Sequence, residues 1–467
     1  MALPTARYLR EAPMARPLET RTEIVIPATD RPTDFALSPD GRQIVFRARG
    51  DGVARLWLRS LATTTAQPLP GTEGGTFPFW SPDGRSLGFF ASGALKRLDL
   101  GGGAPQSLAP ATLGSGGSWN GDGVILFAPN NAQTRIPLMR VSATGGEATP
   151  ATTVGPQQGG HGRPFFLPDG HRFLFGVDGA PDVAGVYLGT LDGGTSTRLT
   201  LSNSSGVWLS PGWLLWVRTD SQTLVAQRLD LEHDALTGDP ISVADGLAIV
   251  SSTGSISTSG LSVSANGHVA YLAGSTGARQ LTWVDRSGVT QGNIGEPDAT
   301  LLHPRVSPDG RRIVVARSVQ GNQDLWSVDA LRLNRLTFGP AVDTFPVWSP
   351  DSTRVVFSSR RSGPLDLYQK VTSGASAEAV MLASEETKVP FSWSSDGRLL
   401  FYSSYSPTTN ADIWVAQATG ERTASVVLKT PFRETQPMIS PDGRWLAYLS
   451  DQSGRNEVYV RPFVAPG

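Results

Sequence analysis

The sequence predicts an all-β protein, a β-propeller of about ten four-stranded units arranged in two lobes. Three observations predict it. A Ser-Pro-Asp-Gly turn recurs along the chain, an aromatic landmark follows it at a fixed distance, and the apolar runs between them are short and strand-like.

The turn comes first. Ser-Pro-Asp-Gly occupies 38–41, 81–84, 307–310 and 440–443. Proline presets φ for the second position of a type I turn, Ser and Asp bond nearby backbone N–H groups, and Gly accepts the left-handed conformation that follows. Such a turn closes a β-hairpin. Taking the Asp or its equivalent as a marker gives 40, 83, 122, 169, 212, 266, 309, 351, 396 and 442. The intervals are 43, 39, 47, 43, 54, 43, 42, 45 and 46 residues. That is ten units of blade length.

The second landmark is Asp-Leu-Trp at 324–326, Asp-Leu-Tyr at 366–368, Asp-Ile-Trp at 412–414 and Glu-Val-Tyr at 457–459. Each begins 15 or 16 residues past its marker. A fourth segment follows in several units, as at 197–201 and 334–338. Each unit therefore reads as strand, hairpin turn, strand, loop, aromatic strand, turn and short strand. In "RRIVVAR" both strand faces are apolar, which requires cover on both sides. Sheets stacked face to face around an axis provide that cover. Phe77, Trp80, Phe345 and Trp348 are expected between blades, with Trp57, Trp326, Trp393 and Trp414.

Residues 1–20 read as a linker or disordered N-terminus. Residues 21–275 form a first lobe of about six blade motifs, and 276–467 a second of about four. The break falls in or just after the longest unit, which holds the Ser/Thr/Gly-rich 251–260. The last unit offers three strands. A spare strand at 22–26 would seal its edge by pairing with it, the alternative being a second lobe left open.

Composition narrows the function. Lys+Arg 40 against Asp+Glu 41 leaves a net charge of −1, without the basic excess of a nucleic-acid binder. Cysteine is absent, which excludes disulfides, thiolate metal sites and cysteine nucleophiles. No apolar stretch reaches membrane-spanning length, so this chain is not expected to insert into a membrane. No Gly-x-Ser-x-Gly elbow is present, and neither are a kinase Gly-rich loop, ATP lysine and His-Arg-Asp loop. One carboxylate per turn is too few oxygens for calcium. No cofactor or metal is expected.

"FPVWSPDSTRVVFSSRRSGPLDLYQK" and "ISPDGRWLAYLSDQSGRNEVYVRPF" resemble the WD40-like (PD40) repeats of TolB-type propellers. The order of units is similar to the propeller tail of bacterial membrane-anchored Ser/Thr protein kinases. The resemblance covers about 21–463. It implies a non-catalytic binding or sensor module for a protein, peptide or small molecule. The setting would be periplasmic or otherwise extracytoplasmic if the chain is part of a membrane-anchored protein, and cytoplasmic if it stands alone. Two alternatives remain: a propeller lyase or hydrolase with its site in the central funnel, and a structural partner in an envelope complex.

Residues just before each inner strand should rim a central funnel. They are His161 and Arg163 in "GGHGRPFF", His303 and Arg305 in "LLHPRVS", and Asp343, Lys388 and Glu434 in later units. Their types suit polar contacts to a ligand or peptide. The five histidines include no metal-pair spacing.

Overall fold

A computed structural model describes the chain outside 1–22, 25–28, 30, 51, 131–134, 181, 203, 220, 251–255, 275–278, 320–321, 330–331, 374–375, 407–410, 454–455 and 466–467. The expected N-terminal linker and the first half of the Ser/Thr/Gly-rich stretch thus lie outside the described residues. Every regular element that is described is a strand.

Eight antiparallel sheets have four strands in sequence order, one has three, and shorter pairs complete the set. We number the sheets along the chain: sheet 1 (35–68), 2 (76–110), 3 (117–150), 4 (158–200), 5 (207–244), 6 (249–271), 7 (302–335), 8 (343–382), 9 (387–428) and 10 (434–462). This is a β-propeller architecture. Sheet 6 departs from the four-stranded expectation. It consists of two short pairs, Ile249–Val250 with Thr258–Ser259 and Leu261–Val263 with Val269–Tyr271.

The repeated turn works through the serine hydroxyl. Ser81 Oγ donates to Asp83 Oδ1 (2.6 Å) and accepts from Ser86 N (2.9 Å), while Asp83 Oδ1 also accepts from Arg85 N (3.0 Å). Gly84 sits at φ 70°, where a side chain would be strained. The hydroxyl bond, the backbone N–H and nearby Arg85 hold the Asp83 carboxyl below its ordinary range. The same set recurs at Ser38, Ser307, Ser349, Ser394 and Ser440. These aspartates are turn formers, as their spacing implied.

Packing between sheets follows an alternation rule. In the second strand of sheets 7, 8 and 9, the residue five past the turn aspartate faces the next sheet and residues four and six past it face the preceding element, whereas sheets 3 and 6 show the reverse order. Val314 of sheet 7 packs with Val355 and Phe357 of sheet 8. Val356 of sheet 8 packs with Leu400 and Tyr402 of sheet 9. Phe401 of sheet 9 packs with Leu446 and Tyr448 of sheet 10. Trp80 and Trp348, just before their turns, are buried in these interfaces as expected. Each also donates its indole N–H to the inner strand of the preceding sheet: Trp80 to Ala36 O (3.1 Å) and Trp348 to Arg305 O (3.0 Å).

Inner strands 1 to 6 touch in order, and that of sheet 6 returns to sheet 1. At the seam, Leu37 N donates to Ser262 Oγ (2.9 Å) and Asn266 Nδ2 to Asp40 O (2.8 Å). These six sheets form a closed ring. Inner strands 7 to 10 form a second series. Its leading face is capped by the hairpin Arg279–Val284 with Thr290–Asp298, through Leu281 and Ile294 on Ile313 and Val315. Its trailing face, on sheet 10, is bare: Met438, Trp445, Val458 and Val460 are all exposed.

The strand expected at 22–26 lies mostly outside the described residues. Ile24, which is described, packs with Phe35, Phe46 and Ala270, at the seam between sheets 1 and 6. Its place there corrects the expectation that this segment reaches the last unit. Sheet 6 is short, and the seam leaves apolar surface that Ile24 covers.

Ring and arc meet at a buried ion pair, Arg360 Nη2 to Asp178 Oδ2 (2.5 Å). Arg135 also pairs with Glu385. Gly363, at φ 111°, lies against Gln157, where a Cβ would come within 2.7 Å of the Gln157 Cα.

Candidate functional site

The inner strands carry a device that the sequence reading missed. Phe77, Arg163, His303, Phe345 and Gln436 have φ of 47°, 53°, 52°, 50° and 57°. Each sits in a β-bulge of the innermost strand. Each precedes a proline, at 78, 164, 304, 346 and 437, five residues before its turn aspartate. Proline brings no N–H, so the bulge forfeits no ladder bond there. The left-handed residue costs on the order of 1–3 kcal/mol. In return, the bulge re-aims its side chain. Phe77 and Phe345 are therefore half-buried at the inner strands, packed on the edges of interblade clusters, which corrects their expected full burial.

A channel of about 540 Å³ runs through the ring, lined by the inner strands of all six sheets. Phe35, Phe77, Trp119, Phe165 and Trp208 put aromatic surface into a wall otherwise made largely of small, hydroxyl-bearing and aliphatic residues. Asp34 and Arg163 are the charged residues in that wall. The Arg163 guanidinium lies 4.6 Å from the centroid of the Phe77 ring, and that of Arg31 lies 5.6 Å from it. Arg163 also donates to Thr258 Oγ1. Asp34 Oδ2 accepts from Phe77 N (3.3 Å) and lies 4.0 Å from Arg31 Nη1.

Burial dominates the titration of both wall charges. It raises the Asp34 carboxyl above its ordinary value, against the pull of Arg31, Arg163, the Phe77 N–H and Arg47. It pushes the Arg163 guanidinium down to about 10, with Asp34 opposing and Arg31 adding to the fall.

The other candidate residues are placed differently. His161 is buried on Phe175 (ring centroids 5.0 Å apart), with Thr152 Oγ1 at 2.8 Å and Gln158 Oε1 at 2.9 Å. Burial lowers its imidazole to about 4, so it is neutral at pH 7. His303 stacks on Phe345 at 4.2 Å in the arc, beside the exposed Arg305. Burial, then Arg305 and Arg279, bring His303 to about 4 as well. Asp343 is buried and paired with Arg361 (2.8 Å). Lys388 is buried on Asp366 Oδ1 (3.0 Å) and Glu386 O (2.7 Å). Glu434 is buried and accepts from Thr430. The structure thus brings Arg163 to the channel of the ring and distributes the rest over buried contacts and the arc. Among the described residues no three His, Cys, Asp or Glu converge as a metal site.

The arc's buried acids make its stability pH-dependent. Asp324, paired with Arg335 at 2.5 Å, is raised from 3.8 to about 6 by burial, with Arg335 opposing and Asp343 adding to the rise. A raised acid contributes stability below its unfolded value and loses that contribution as pH climbs through its folded value. The thermal midpoint is therefore expected to rise when pH is lowered from 7.5 to 5. Asp324→Asn should flatten that rise, as read by differential scanning calorimetry. An unchanged slope would remove Asp324 as its source.

A closed ring of six antiparallel sheets around a central channel defines a β-propeller protein. More particularly, residues 245–460 match the family model described as PD40, TolB beta propeller domain, which supports the TolB-like propeller family for this chain. A TolB homolog protein of Chlorobium luteolum is 26% identical over 162 residues, 34% of this chain and 36% of that protein. Dipeptidyl-peptidase 5 of Porphyromonas gingivalis is 36% identical over 83 residues, 16% of this chain and 12% of that enzyme. The chain thus spans about a third or less of the curated relatives it matches. The crystal structure of TolB from Acinetobacter baumannii aligns at 12% identity and TM-score 0.31, over 91% of this chain and 78% of that one. That of the tricorn protease aligns at 14% and 0.30, over 91% and 56%. Scores at this level carry no comparison of arrangement. No helix among the described residues is long and apolar enough to cross a membrane.

Proposed function

We propose that the chain is a binding module whose ring channel receives a peptide segment of a partner protein, with ring and arc acting as two propeller lobes. One observation carries this reading: six inner strands converge on a channel of about 540 Å³ with aromatic surface in its wall. Aromatic walls supply rigid apolar contact area at low entropic cost. The strained Phe77 and Arg163 support the reading, because positive-φ residues cluster where a fold holds side chains for use. The resemblance in repeat order supports a finer reading, in which the module is the extracytoplasmic sensor tail of a membrane-anchored Ser/Thr kinase.

The test is selection of a displayed random 12-residue peptide library on the purified chain, followed by calorimetric titration of the enriched peptides. Phe77→Ala is expected to weaken their binding by about tenfold, the scale of one lost aromatic contact, without unfolding the ring. Failure to enrich any peptide, or equal binding by Phe77→Ala, would count against the channel as the site.

A further inference from the structure

Charge around Phe77 does not balance. Two guanidinium groups, Arg31 and Arg163, approach the one phenyl ring, and among the described residues the carboxyl that stands near them is Asp34. Asp34 and Arg163 both line the channel, yet the ion pair Asp34 makes is with Arg31. Arg47, a third cation near Asp34, is committed to Gly75 O at 2.8 Å. Among the described residues, the hydrogen bond that Arg163 donates goes to Thr258, through Nη2, and its guanidinium also lies on the Phe77 ring. The Arg163 backbone is held at φ 53° in the bulge before Pro164, which sets the direction in which the side chain leaves the strand.

Arg163, buried in the channel wall, and the half-exposed Arg31 beside it repel one another, and the surrounding protein screens the buried group weakly. An anion entering the channel removes that cost and takes charge-assisted hydrogen bonds from a planar donor already in position. The surrounding wall carries aromatic surface from Phe35, Trp119, Phe165 and Trp208. The two features together specify a ligand with one anionic group among apolar side chains.

Resting on the channel-binding reading above, we infer that the segment this ring accepts carries a carboxylate, from an Asp, a Glu or a chain terminus, seated on Arg163 with Arg31 at its side. Arg163 is the specificity-determining contact. Arg31, about half exposed, adds attraction at longer range.

The experiment repeats the peptide selection on wild-type chain, Arg163→Ala and Arg31→Ala. One enriched acidic peptide is then synthesised in three forms: with its Asp, with Asn in that place, and with phosphoserine in that place. Wild type is expected to enrich Asp or Glu beside aromatic or aliphatic residues. Asp to Asn in the peptide should weaken binding about tenfold or more. Arg163→Ala should bind the Asp and Asn forms alike. Arg31→Ala should weaken the Asp form by about threefold and reduce its salt dependence. Arg163→Gln, which keeps the side-chain bulk, serves if the alanine variant unfolds. Peptides enriched without an acidic preference would overturn the inference and leave the channel-binding reading standing. So would an Asp/Asn ratio unchanged by the Arg163 variants. A phosphoserine form bound more than tenfold tighter than the Asp form would overturn the carboxylate in favour of phosphate. No enrichment on any variant would overturn both readings.

Discussion

Trp348→Ala is expected to cost about 3–5 kcal/mol of unfolding free energy, the range for deleting a large core aromatic. The indole is 5% exposed and packed among Val314, Val355 and Phe357 at the junction of sheets 7 and 8. Its N–H is bonded to Arg305 O, and the Arg312 guanidinium stands 4.8 Å from its ring. Alanine would leave a cavity, an orphaned carbonyl and a cation without its ring. Urea unfolding followed by fluorescence and by circular dichroism measures the loss. A loss below about 1 kcal/mol would mean that this interface repacks easily, contrary to the close packing seen between sheets.

Arg360→Ala should be comparably severe, about 3–5 kcal/mol, because it strands Asp178 as a buried charge without its partner. Burial already raises the Asp178 carboxyl against the pull of Arg360 and the Gly179 N–H. The pair joins ring to arc, so its loss should also divide the melting of the two. Calorimetry is expected to show a second transition in Arg360→Ala where wild type shows fewer. Replacing both partners with apolar residues, Asp178→Leu with Arg360→Met, should recover much of the loss. A single alanine variant that melts as wild type does would remove the pair as the junction's anchor.

The repeat was legible because its information is local. Ser81, Asp83 and Gly84 lie within four residues, and their hydrogen bonds close within the same turn. The buried Trp80 and Trp348 were legible for a related reason: they sit at a constant offset from that turn. The placement of Phe77 was not. Its alternation with Phe79 suggests an ordinary strand, but a bulge between Thr76 and Phe79 inserts a residue and turns the ring toward the axis. The signal that could have revealed it was the proline five residues before the turn aspartate. Asp343, Lys388 and Glu434 begin their inner strands as expected, yet their partners lie on other segments: Arg361, Asp366 and Thr430. Such pairing depends on how loops fold back, which spacing alone does not encode. The approach of Arg163 to the Phe77 ring is longer in range still, since it exists only once sheets 2 and 4 share a ring.

The alternation rule gives the stack a direction. Among sheets 7 to 10, each junction joins two unlike surfaces, one set by the fifth position after the turn and one by the fourth and sixth, so a sheet can be added in one orientation only. The hairpin over Ile313 and Val315 stops extension at the leading end, as a cap does on a filament. The other end, with Trp445 48% and Val458 70% exposed, has the surface on which extension would proceed. Growth by unit duplication is therefore one-sided: a repeat copied in frame behind sheet 10 meets a surface shaped for it, whereas one inserted before sheet 7 must first displace the hairpin.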